Sequence, residues 1–317
     1  MKNTFTEDAS DVLDFVSPGW GFWLFPPLAP HADLDEDIDD DQLTGTVKLS
    51  WFANDDIMLY ASYGTGYKSG GTNTDRIDEV FPVQFGAETS EAFEIGMKAE
   101  FPDQALRINL ALHATDTDDL QTVSFQGNGF ALTNAGVAET YGVEVDLYWQ
   151  PTDTTSIVVG YAYNHAEYAE FEVGACWIGT PWHTGEPDPG DNGDGTCDRS
   201  GNPFSSNPEN VLVVSGNQEF GLGDGITGFV YGEYIYTDER MTDLNNDPEK
   251  LDGSYNLINM RAGLIFEDYD MQLTAWGRNL TEEEYTGTIA DSVVQDGNYI
   301  AFYSEPRTWG ITLRKNF

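Results

Sequence analysis

Positive charge is scarce in this sequence of 317 residues. Lysine and arginine together number 14, against 55 aspartate and glutamate residues, and the formal net charge is −41. Such a chain repels nucleic-acid phosphates and anionic lipid surfaces. The composition therefore excludes DNA and RNA as partners, and it fits a surface that is bathed in salt or divalent cations.

Long apolar runs are also absent. The mean hydropathy is −0.41, and no stretch of 18 apolar residues occurs, so no transmembrane helix is predicted. This test does not reach a transmembrane β-barrel, because barrel strands alternate and give no hydropathy peak. The amino terminus has no basic region followed by an apolar segment and a cleavage site, so no secretory signal peptide is predicted.

The first 40 residues have an unusual composition. Trp20–Pro30 is rich in aromatic residues, but it is short and contains three prolines, so it cannot span a bilayer. Seven acidic residues follow within positions 33–41. We predict that residues 1–40 are a remnant strand with an extracellular loop, or a disordered start, and that residues 41–317 form the folded domain.

Catalytic constellations are missing as well. Gly64–Ser69 superficially resembles a phosphate-binding loop, but Tyr67 stands where a glycine is required before Lys68. The four histidines show no metal-ligand spacing, and pairs of carboxylates are uninformative in so acidic a chain. We predict that the protein is not an enzyme.

The abundant residues are those of a β-protein, with 13% aromatic residues and 33 glycines. Apolar and polar residues alternate in many segments, as where Val143, Val145 and Leu147 are interleaved with Glu144 and Asp146. Each such strand has one apolar and one polar face. Eleven strands are predicted, at about 42–53, 56–68, 88–101, 104–125 (with a kink), 132–150, 154–168, 209–220, 226–238, 253–266, 270–282 and 301–317.

The predicted connections alternate between short and long. Short turns are expected at 54–56, 102–104, 151–153, 221–225 and 267–270. Long loops are expected at about 69–87, 126–131, 169–208, 239–252 and 283–300. Short turns on one rim and long loops on the other are the layout of outer-membrane barrels.

The last strand, Arg307–Phe317, carries an amphipathic pattern to the end of the sequence. Trp309, Ile311 and Leu313 fall on one face, and polar residues fall on the other. A closing aromatic residue resembles the signal that the barrel-assembly machinery reads. Lys315 departs from that signal, because an apolar or aromatic residue is usual at its position.

Several segments resemble one family, the TonB-dependent outer-membrane receptors. The strand and loop at Leu59–Asn73 are similar to a segment typical of these receptors, and Asn279–Tyr285 is similar to the segment before their last extracellular loop. Glu94–Lys98, Ala138–Asp146 and the closing strand agree with this. The resemblance extends over about 41–317.

The resemblance implies an all-β fold, a transmembrane antiparallel barrel of 22 strands with an N-terminal plug. The predicted meander would supply about eleven C-terminal strands. Bacterial barrels have even strand numbers, and an odd meander whose last strand runs to the periplasm begins at the extracellular rim. We therefore interpret the sequence as a fragment without the signal peptide, the plug and the first half of the barrel.

The function implied by the resemblance is active uptake of a ferric siderophore, or a similar scarce nutrient, across the bacterial outer membrane. The implied partners are outer-membrane lipid, the TonB system acting through the plug, the nutrient and the barrel-assembly machinery. No substrate contact can be assigned to a residue. Two alternatives stay open: a TonB-dependent importer of glycans or cobalamin, and a soluble secreted β-rich binding module.

Cysteine is nearly absent, and its two copies lie in one predicted loop, 169–208. An even number within a single extracellular loop predicts a disulfide between Cys176 and Cys197. Zinc bound by both cysteines and His183 is an alternative that lacks a fourth ligand.

The segment between the cysteines is rich in acidic residues. Asn192, Asp194 and Asp198 around Gly195 resemble the calcium loops of thrombospondin type 3 repeats. A solvated acidic loop tip is the other interpretation. The candidate calcium ligands in the 169–208 loop are Asp188, Asp191, Asn192, Asp194 and Asp198.

Overall fold

The structure is a computed structural model, and it describes residues 2–5, 34–73, 82–125, 130–177, 188–292 and 298–316. Lys2–Phe5 pairs with Leu34–Asp37 as a separate antiparallel ribbon. Trp20–Pro30, His183 and the terminal Phe317 lie outside the described residues, as does most of the predicted N-terminal remnant.

Eleven strands form one antiparallel sheet in which every strand pairs with its neighbours in the sequence. In chain order they are β1 (Thr46–Phe52), β2 (Ile57–Lys68), β3 (Glu88–Phe101), β4 (Leu106–Asp118), β5 (Val137–Thr152), β6 (Thr155–Glu170), β7 (Asn210–Gly223), β8 (Ile226–Thr237), β9 (Tyr255–Phe266), β10 (Met271–Arg278) and β11 (Thr308–Lys315). The predicted all-β meander of eleven strands is confirmed.

One face of this sheet is apolar from edge to edge. The register aligns one outward row across β1 to β6, formed by Leu49, Ala61, Ile95, Leu112, Val143 and Tyr163. At the other edge, Trp309 and Ile311 of β11 are 77% and 72% exposed. So large an exposed apolar surface requires an apolar environment, and it matches the outward face of a membrane barrel.

The opposite face is polar. The neighbouring row across β1 to β6 contains Lys48, Ser62, Glu94, His113, Gly142 and Asn164. Gly142 is required in this row, because a Cβ atom there would lie 2.2 Å from the Tyr163 carbonyl oxygen and 2.6 Å from Nε2 of His113. The alternation read from the sequence therefore separates two environments.

The short connections are tight turns on one rim. Pro102–Gln104 and Glu267–Tyr269 are single 3₁₀ turns, and each is closed by a left-handed residue, Ala105 with φ 45° and Asp270 with φ 47°. The long connections leave the opposite rim, as predicted. No helix in the described part of the chain is long and apolar enough to cross a membrane.

The long connections contain hairpins that the sequence did not predict. Four are described: Gly71–Thr72 with Gln84–Phe85, Gln121–Phe125 with Phe130–Asn134, Arg240–Met241 with Leu251–Asp252, and Thr286–Asp291 with Tyr299–Tyr303.

These hairpins correct three predicted strands. The single strand over 104–125 is wrong, because the left-handed Asp119 (φ 54°) ends β4 and redirects the chain. The strand predicted from 132 is likewise divided, since β5 begins at Val137. In the segment 301–317, the part up to Tyr303 pairs with a loop hairpin and β11 begins at Thr308.

A small apolar core lies among the loops rather than within the sheet. Ala135, Tyr168 and Phe171 are buried there, and Phe204 and Leu244 pack against them. The ring centroids of Tyr168 and Phe204 are 4.6 Å apart. The loops therefore form a packed layer above the sheet.

Candidate functional site

A cavity of about 810 Å³ lies against the polar face of β7 to β11. Three of the fourteen basic residues line it, Arg261, Arg278 and Arg314, with two acidic residues, Glu219 and Glu233. Acidic residues outnumber basic ones 55 to 14 in the whole chain. Basic residues outnumber acidic ones around this cavity, which we call the wall cavity, so it favours an anionic solute.

Aromatic rings accompany two of these arginines. The Arg261 guanidinium lies 4.3 Å from the centroid of the Tyr231 ring, and the Arg278 guanidinium lies 5.7 Å from that of Trp276. The Tyr231 hydroxyl donates a hydrogen bond of 2.8 Å to Glu233. Cation–π contacts and hydrogen bonds hold these groups in place, and flat aromatic ligands could stack beside them.

Two loops above the sheet are joined by side-chain amides, and we call this region the amide block: described segments 69–73, 82–87, 119–125 and 130–136. The Asn73 amide donates to the Leu132 carbonyl at 2.8 Å and to the Pro82 carbonyl at 2.9 Å, and its oxygen accepts from the Leu132 N–H at 2.8 Å. The uncharged Asn73 side chain thus makes hydrogen bonds to the backbone of both loops.

Asn134 and Gln121 repeat this arrangement. Asn134 accepts from the Gly86 N–H at 2.7 Å and donates to the Asp119 carbonyl at 2.7 Å. The Gln121 amide donates to the carbonyls of Ser69 and Gly86, both at 2.9 Å. These backbone groups are bonded by uncharged side chains, and the Gln121 N–H donates to the Glu88 carboxylate at 2.8 Å.

The remaining three loops contain the buried ion pairs, and we call this region the ion block: described segments 171–177, 188–209, 238–254, 279–292 and 298–307. An ion pair joins the second of these loops to the third, whereas neutral hydrogen bonds join the first to the second. At its centre Lys250 is completely buried. The Lys250 ammonium contacts Asp291, lies 2.5 Å from Asp243 and donates to Asn245 at 3.3 Å. A buried lysine is stable only when it is paired in this way.

Carboxylates outnumber the ammonium in this cluster. Asp247 is also fully buried, and it accepts a hydrogen bond of 2.7 Å from the Tyr299 hydroxyl. Burial raises the pKa of Asp291 although Lys250 opposes the shift, and Oδ1 of Asp291 has no hydrogen-bond partner within the described residues. The charged form of Asp291 is therefore disfavoured by its burial in spite of the contact with Lys250.

The disulfide loop contains a second buried ion pair. The chain is joined between Cys176 and Cys197, with Cα atoms 5.1 Å apart. Arg199 binds both oxygens of Asp188, and Asp188 also accepts from the backbone of Trp177 at 2.9 Å. Burial would raise the pKa of Asp188, but the hydrogen bonds from Arg199 and from backbone N–H groups outweigh it and lower the pKa.

The predicted calcium ligands are spread over this loop. Asp188 has a different role, since Arg199 occupies both of its oxygens. Three others accept hydrogen bonds within local turns, Asp191 from the Gly193 N–H, Asp194 from the Thr196 N–H and Asp198 from the Ser200 N–H. The Asn192 amide donates to the Glu172 carbonyl, 20 residues away in the sequence. Calcium in the 169–208 loop stays a prediction.

Metal binding by the cysteines conflicts with the disulfide. Within the described residues, the one group of acidic, histidine and cysteine side chains close enough to share an ion is Cys176, Asp188 and Cys197. Both sulfurs are in the disulfide and the carboxylate is paired with Arg199. Zinc bound by the two cysteines is therefore incompatible with this structure.

Contacts between loops complete the ion block. Trp177 donates from its indole nitrogen to the Asn245 carbonyl at 3.0 Å, and the Asn246 amide donates to the Pro203 carbonyl at 3.0 Å. Sequence reasoning missed Lys250 and Arg199. The available signal was the scarcity of basic residues in strongly acidic loops, since Arg199 is the one lysine or arginine of loop 169–208 and Lys250 shares loop 239–252 with Arg240 alone.

A family model for the β-barrel of TonB-dependent receptors, described as "TonB dependent receptor-like, beta-barrel", matches residues 27–280. The chain belongs to the TonB-dependent receptor family. This agrees with the alternating faces and with the unequal rims of the sheet. The protein is accordingly an outer-membrane β-barrel protein, and the alternative of a soluble secreted binding module is wrong.

Individual members of the TonB-dependent receptor family resemble the chain over limited lengths. The pesticin receptors of Yersinia enterocolitica and Yersinia pestis are each 32% identical to it over 111 residues, which is 35% of this chain and 16% of each receptor. The ferric yersiniabactin uptake receptor FyuA of Yersinia pestis has a similar fold, with a TM-score of 0.68 and 21% identity over 88% of this chain.

Two further solved structures share the fold. The siderophore receptor PiuA of Acinetobacter baumannii has a TM-score of 0.61 and 19% identity, and the match covers 85% of this chain. The ferripyoverdine receptor of Pseudomonas aeruginosa has a TM-score of 0.60 and 17% identity, and the match covers 90% of this chain. The matches cover 38% of the FyuA chain, 35% of the PiuA chain and 34% of the ferripyoverdine receptor chain. This chain therefore spans between a third and two fifths of the length of these receptors.

Proposed function

We propose that this chain is the loop-bearing wall of a receptor that takes up a ferric siderophore, or a similar scarce nutrient, with energy supplied through TonB. The family assignment and the siderophore receptors among the similar structures support this function. TonB acting through a plug domain, and the barrel-assembly machinery acting on the closing strand, belong to the same proposal.

The observation that carries the proposal is the reversed charge balance of the wall cavity. Arg261, Arg278 and Arg314 gather in a strongly acidic chain, and Tyr231 and Trp276 lie beside two of them. Ferric complexes of phenolate and catecholate chelators are aromatic and commonly anionic. Such a ligand can accept hydrogen bonds from the guanidinium groups and stack on the rings.

The test is uptake by the native bacterium with and without the gene. Under iron limitation, deletion should abolish uptake of one ⁵⁵Fe-labelled siderophore from a panel of phenolate, catecholate and hydroxamate types. Arg261→Gln should weaken binding of that siderophore about tenfold, since a charge-assisted hydrogen bond is lost. Arg107→Gln is the matched control, because Arg107 pairs with Glu100 on the polar face but does not line this cavity.

Two results would contradict the proposal. Unchanged uptake of all labelled siderophores after deletion would show that the receptor does not take up ferric siderophores. Loss of labelled cobalamin or oligosaccharide uptake in the same strain would instead establish the alternative importer.

A further inference from the structure

Seven of the eight arginines lie within the described residues, and they fall into two groups. Four of them contact a carboxylate: Arg107, Arg199, Arg240 and Arg307. The other three form no ion pair with any described residue, and all of them line the wall cavity: Arg261, Arg278 and Arg314. In so acidic a chain, guanidinium groups without a carboxylate partner are available to an anionic ligand.

One cross-strand row runs through the wall cavity from β8 to β11. The register places four residues side by side in it: Tyr231, Arg261, Trp276 and Gly310. Side chains that are directly opposite in an antiparallel pair have Cβ atoms about 5 Å apart. The direction in which each side chain leans therefore decides whether a space remains between neighbours.

The two large members of the central pair in this row lean in opposite directions. The Arg261 guanidinium lies over β8, 4.3 Å from the centroid of the Tyr231 ring. The Trp276 indole lies over β11, since a Cβ atom on Gly310 would be 2.6 Å from its Cζ2 atom, and its N–H donates to the Thr312 hydroxyl at 3.1 Å. A gap therefore opens between the guanidinium and the indole on the lumen side of β9 and β10.

The missing side chain of Gly310 creates the place that the indole occupies. Gly310 lies inside β11 and has no left-handed backbone conformation, so the strand itself does not require a glycine there. Any larger residue would push the indole of Trp276 back toward Arg261 and narrow the gap. A glycine within a strand commonly marks a position where another group approaches closely.

A ring packed over a glycine does not by itself indicate a ligand site, because this packing supports strand pairs generally. The Tyr60 ring covers Gly96 in the same way, with a Cβ atom on Gly96 placed 2.5 Å from the ring, and Lys48 lies 4.5 Å from the ring centroid. The Trp276 ring differs in its surroundings. It lines the cavity of the three unpaired arginines, and the Arg278 guanidinium is 5.7 Å from its centroid.

We infer that Gly310 and Thr312 are positioning residues that hold Trp276 as a stacking surface, and that the receptor thereby selects chelators whose iron-binding groups are aromatic rings. This inference rests on the proposed function and narrows it from ferric siderophores in general to phenolates and catecholates. A planar ring enters the gap between Arg261 and Trp276, and its anionic oxygens accept hydrogen bonds from the guanidinium groups. An anionic chelate without rings can use the arginines but not the indole.

The experiment measures binding by the whole receptor, purified from outer membranes of the native bacterium in mild detergent. The probes are the ferric complexes of a catecholate, a phenolate and citrate, which are all anionic, and of which citrate alone has no ring. The wild-type receptor should bind an aromatic complex more tightly than the citrate complex. Gly310→Ala should weaken aromatic binding about fivefold, because the stacking surface is displaced, and should not change citrate binding. Thr312→Val should weaken aromatic binding about threefold, since the indole loses its hydrogen bond.

Gly160→Ala is the matched control, because Gly160 is on the polar face of β6, outside the wall cavity, and its new Cβ atom would be 3.9 Å from Asp146. Trp276→Leu removes the ring without adding an atom to β11, and it should reproduce the loss even if Gly310→Ala does not fold. Tighter wild-type binding of citrate, or aromatic binding that Trp276→Leu leaves unchanged, would overturn the inference and leave siderophore uptake in place. Binding of none of the three complexes, with unchanged uptake after deletion of the gene, would contradict the proposed function instead.

Discussion

The amide block and the ion block hold similar hairpins above the same sheet by different chemistry. In the first, Asn73 and Asn134 bridge two loops with neutral hydrogen bonds. In the second, Lys250 and Arg199 are buried among carboxylates, and a disulfide closes the longest loop. Neutral bonds respond little to pH and salt. Buried ions respond strongly to losing a partner, because the charge left behind is uncompensated.

The difference follows from the charge of the connections, because acidic residues are concentrated in the three loops of the ion block. The amide block joins two loops with few charges at the contact, so carboxamides can satisfy the backbone directly. The ion block joins three loops, and its contacts include a neutral hydrogen bond from the Asn245 amide to the Cys176 carbonyl, 69 residues apart along the chain. Strongly acidic loops repel one another, and the buried Lys250 ammonium offsets this repulsion between the loops that carry Asp243 and Asp291.

The largest effect is expected from Lys250→Met, which removes the central cation of the ion block. The carboxylates of Asp243 and Asp291 are then stranded, and breaking a buried pair costs about 3–5 kcal/mol. Hydrogen exchange of the whole receptor in detergent should show this loss over 238–254 and 286–291. The amide block should lose less protection, and its loss should be largest near Ala135, which shares the apolar core with the ion block.

Lys48→Met is the control for this variant, because Lys48 is an exposed lysine on the polar face of β1. Adding Asp291→Asn to Lys250→Met should recover part of the loss, since one stranded charge is removed. Equal protection of 238–254 in Lys250→Met and Lys48→Met would show that the cluster does not hold the loops.

Opening the disulfide should have the next largest effect. The crosslink spans 21 residues, and closing a loop of this size stabilises by about 3 kcal/mol in the chain-entropy model. A Cys176→Ser, Cys197→Ser double variant should become sensitive to proteases between 171 and 209. Cleavage within the amide block should not increase, and an increase there would mean that the two blocks open together.

A smaller loss is expected from Asn134→Leu in the amide block. The change removes the bonds to the Gly86 N–H and the Asp119 carbonyl, which are exposed and can bond to water instead, so each lost hydrogen bond costs about 0.5–1.5 kcal/mol. Hydrogen exchange should rise at 82–87 and 119–125, with no dependence on ionic strength. A strong salt dependence would indicate that charge also contributes to this block.

The smallest expected effect is a pH dependence confined to the ion block. The lowered pKa of Asp188 contributes stability above the ordinary value of 3.8 that is lost as the pH falls below it. The raised pKa of Asp291 acts in the opposite sense, since its contribution is present below 3.8 and is lost as the pH rises through the folded pKa.

Exchange rates corrected for intrinsic pH dependence can separate these two contributions. Segment 188–199 should loosen on acidification, and Asp188→Asn should abolish that response. Segment 286–291 should tighten on acidification instead. If the exchange rates of both segments changed in the same direction on acidification, the assigned pKa shifts would be contradicted. The exchange rates of the amide block should not change with pH.

The wall was predictable because its information is local. The alternation that places Val143, Val145 and Leu147 on one side determines which face of β5 contacts lipid. A two-residue period can be recognised without knowing which strand pairs with β5. The division between short and long connections was visible for the same reason. The end of β4 at Asp118 was missed, since the following left-handed residue has no periodic signature.

The candidate site was less predictable because its contacts are distant in sequence. Lys250 contacts Asp291, which is 41 residues away in the sequence, and no local pattern around either residue predicts this contact. Asp188 appeared as a calcium ligand because its neighbours are acidic, whereas packing paired it with Arg199. The arginines around the wall cavity come from three strands, and only the register of the sheet brings them together.

The disulfide also bears on how the wall assembles. Every seam of the sheet joins strands that are adjacent in the chain, and the most distant pair is β6 and β7, where Tyr163 meets Asn210. The disulfide shortens the chain path between Tyr163 and Asn210 by about half, because the 21-residue separation of its cysteines is bypassed. Since each halving of a loop lowers the entropic cost of closure by about 0.6 kcal/mol, oxidation before membrane insertion should speed the joining of the two flanking groups of strands.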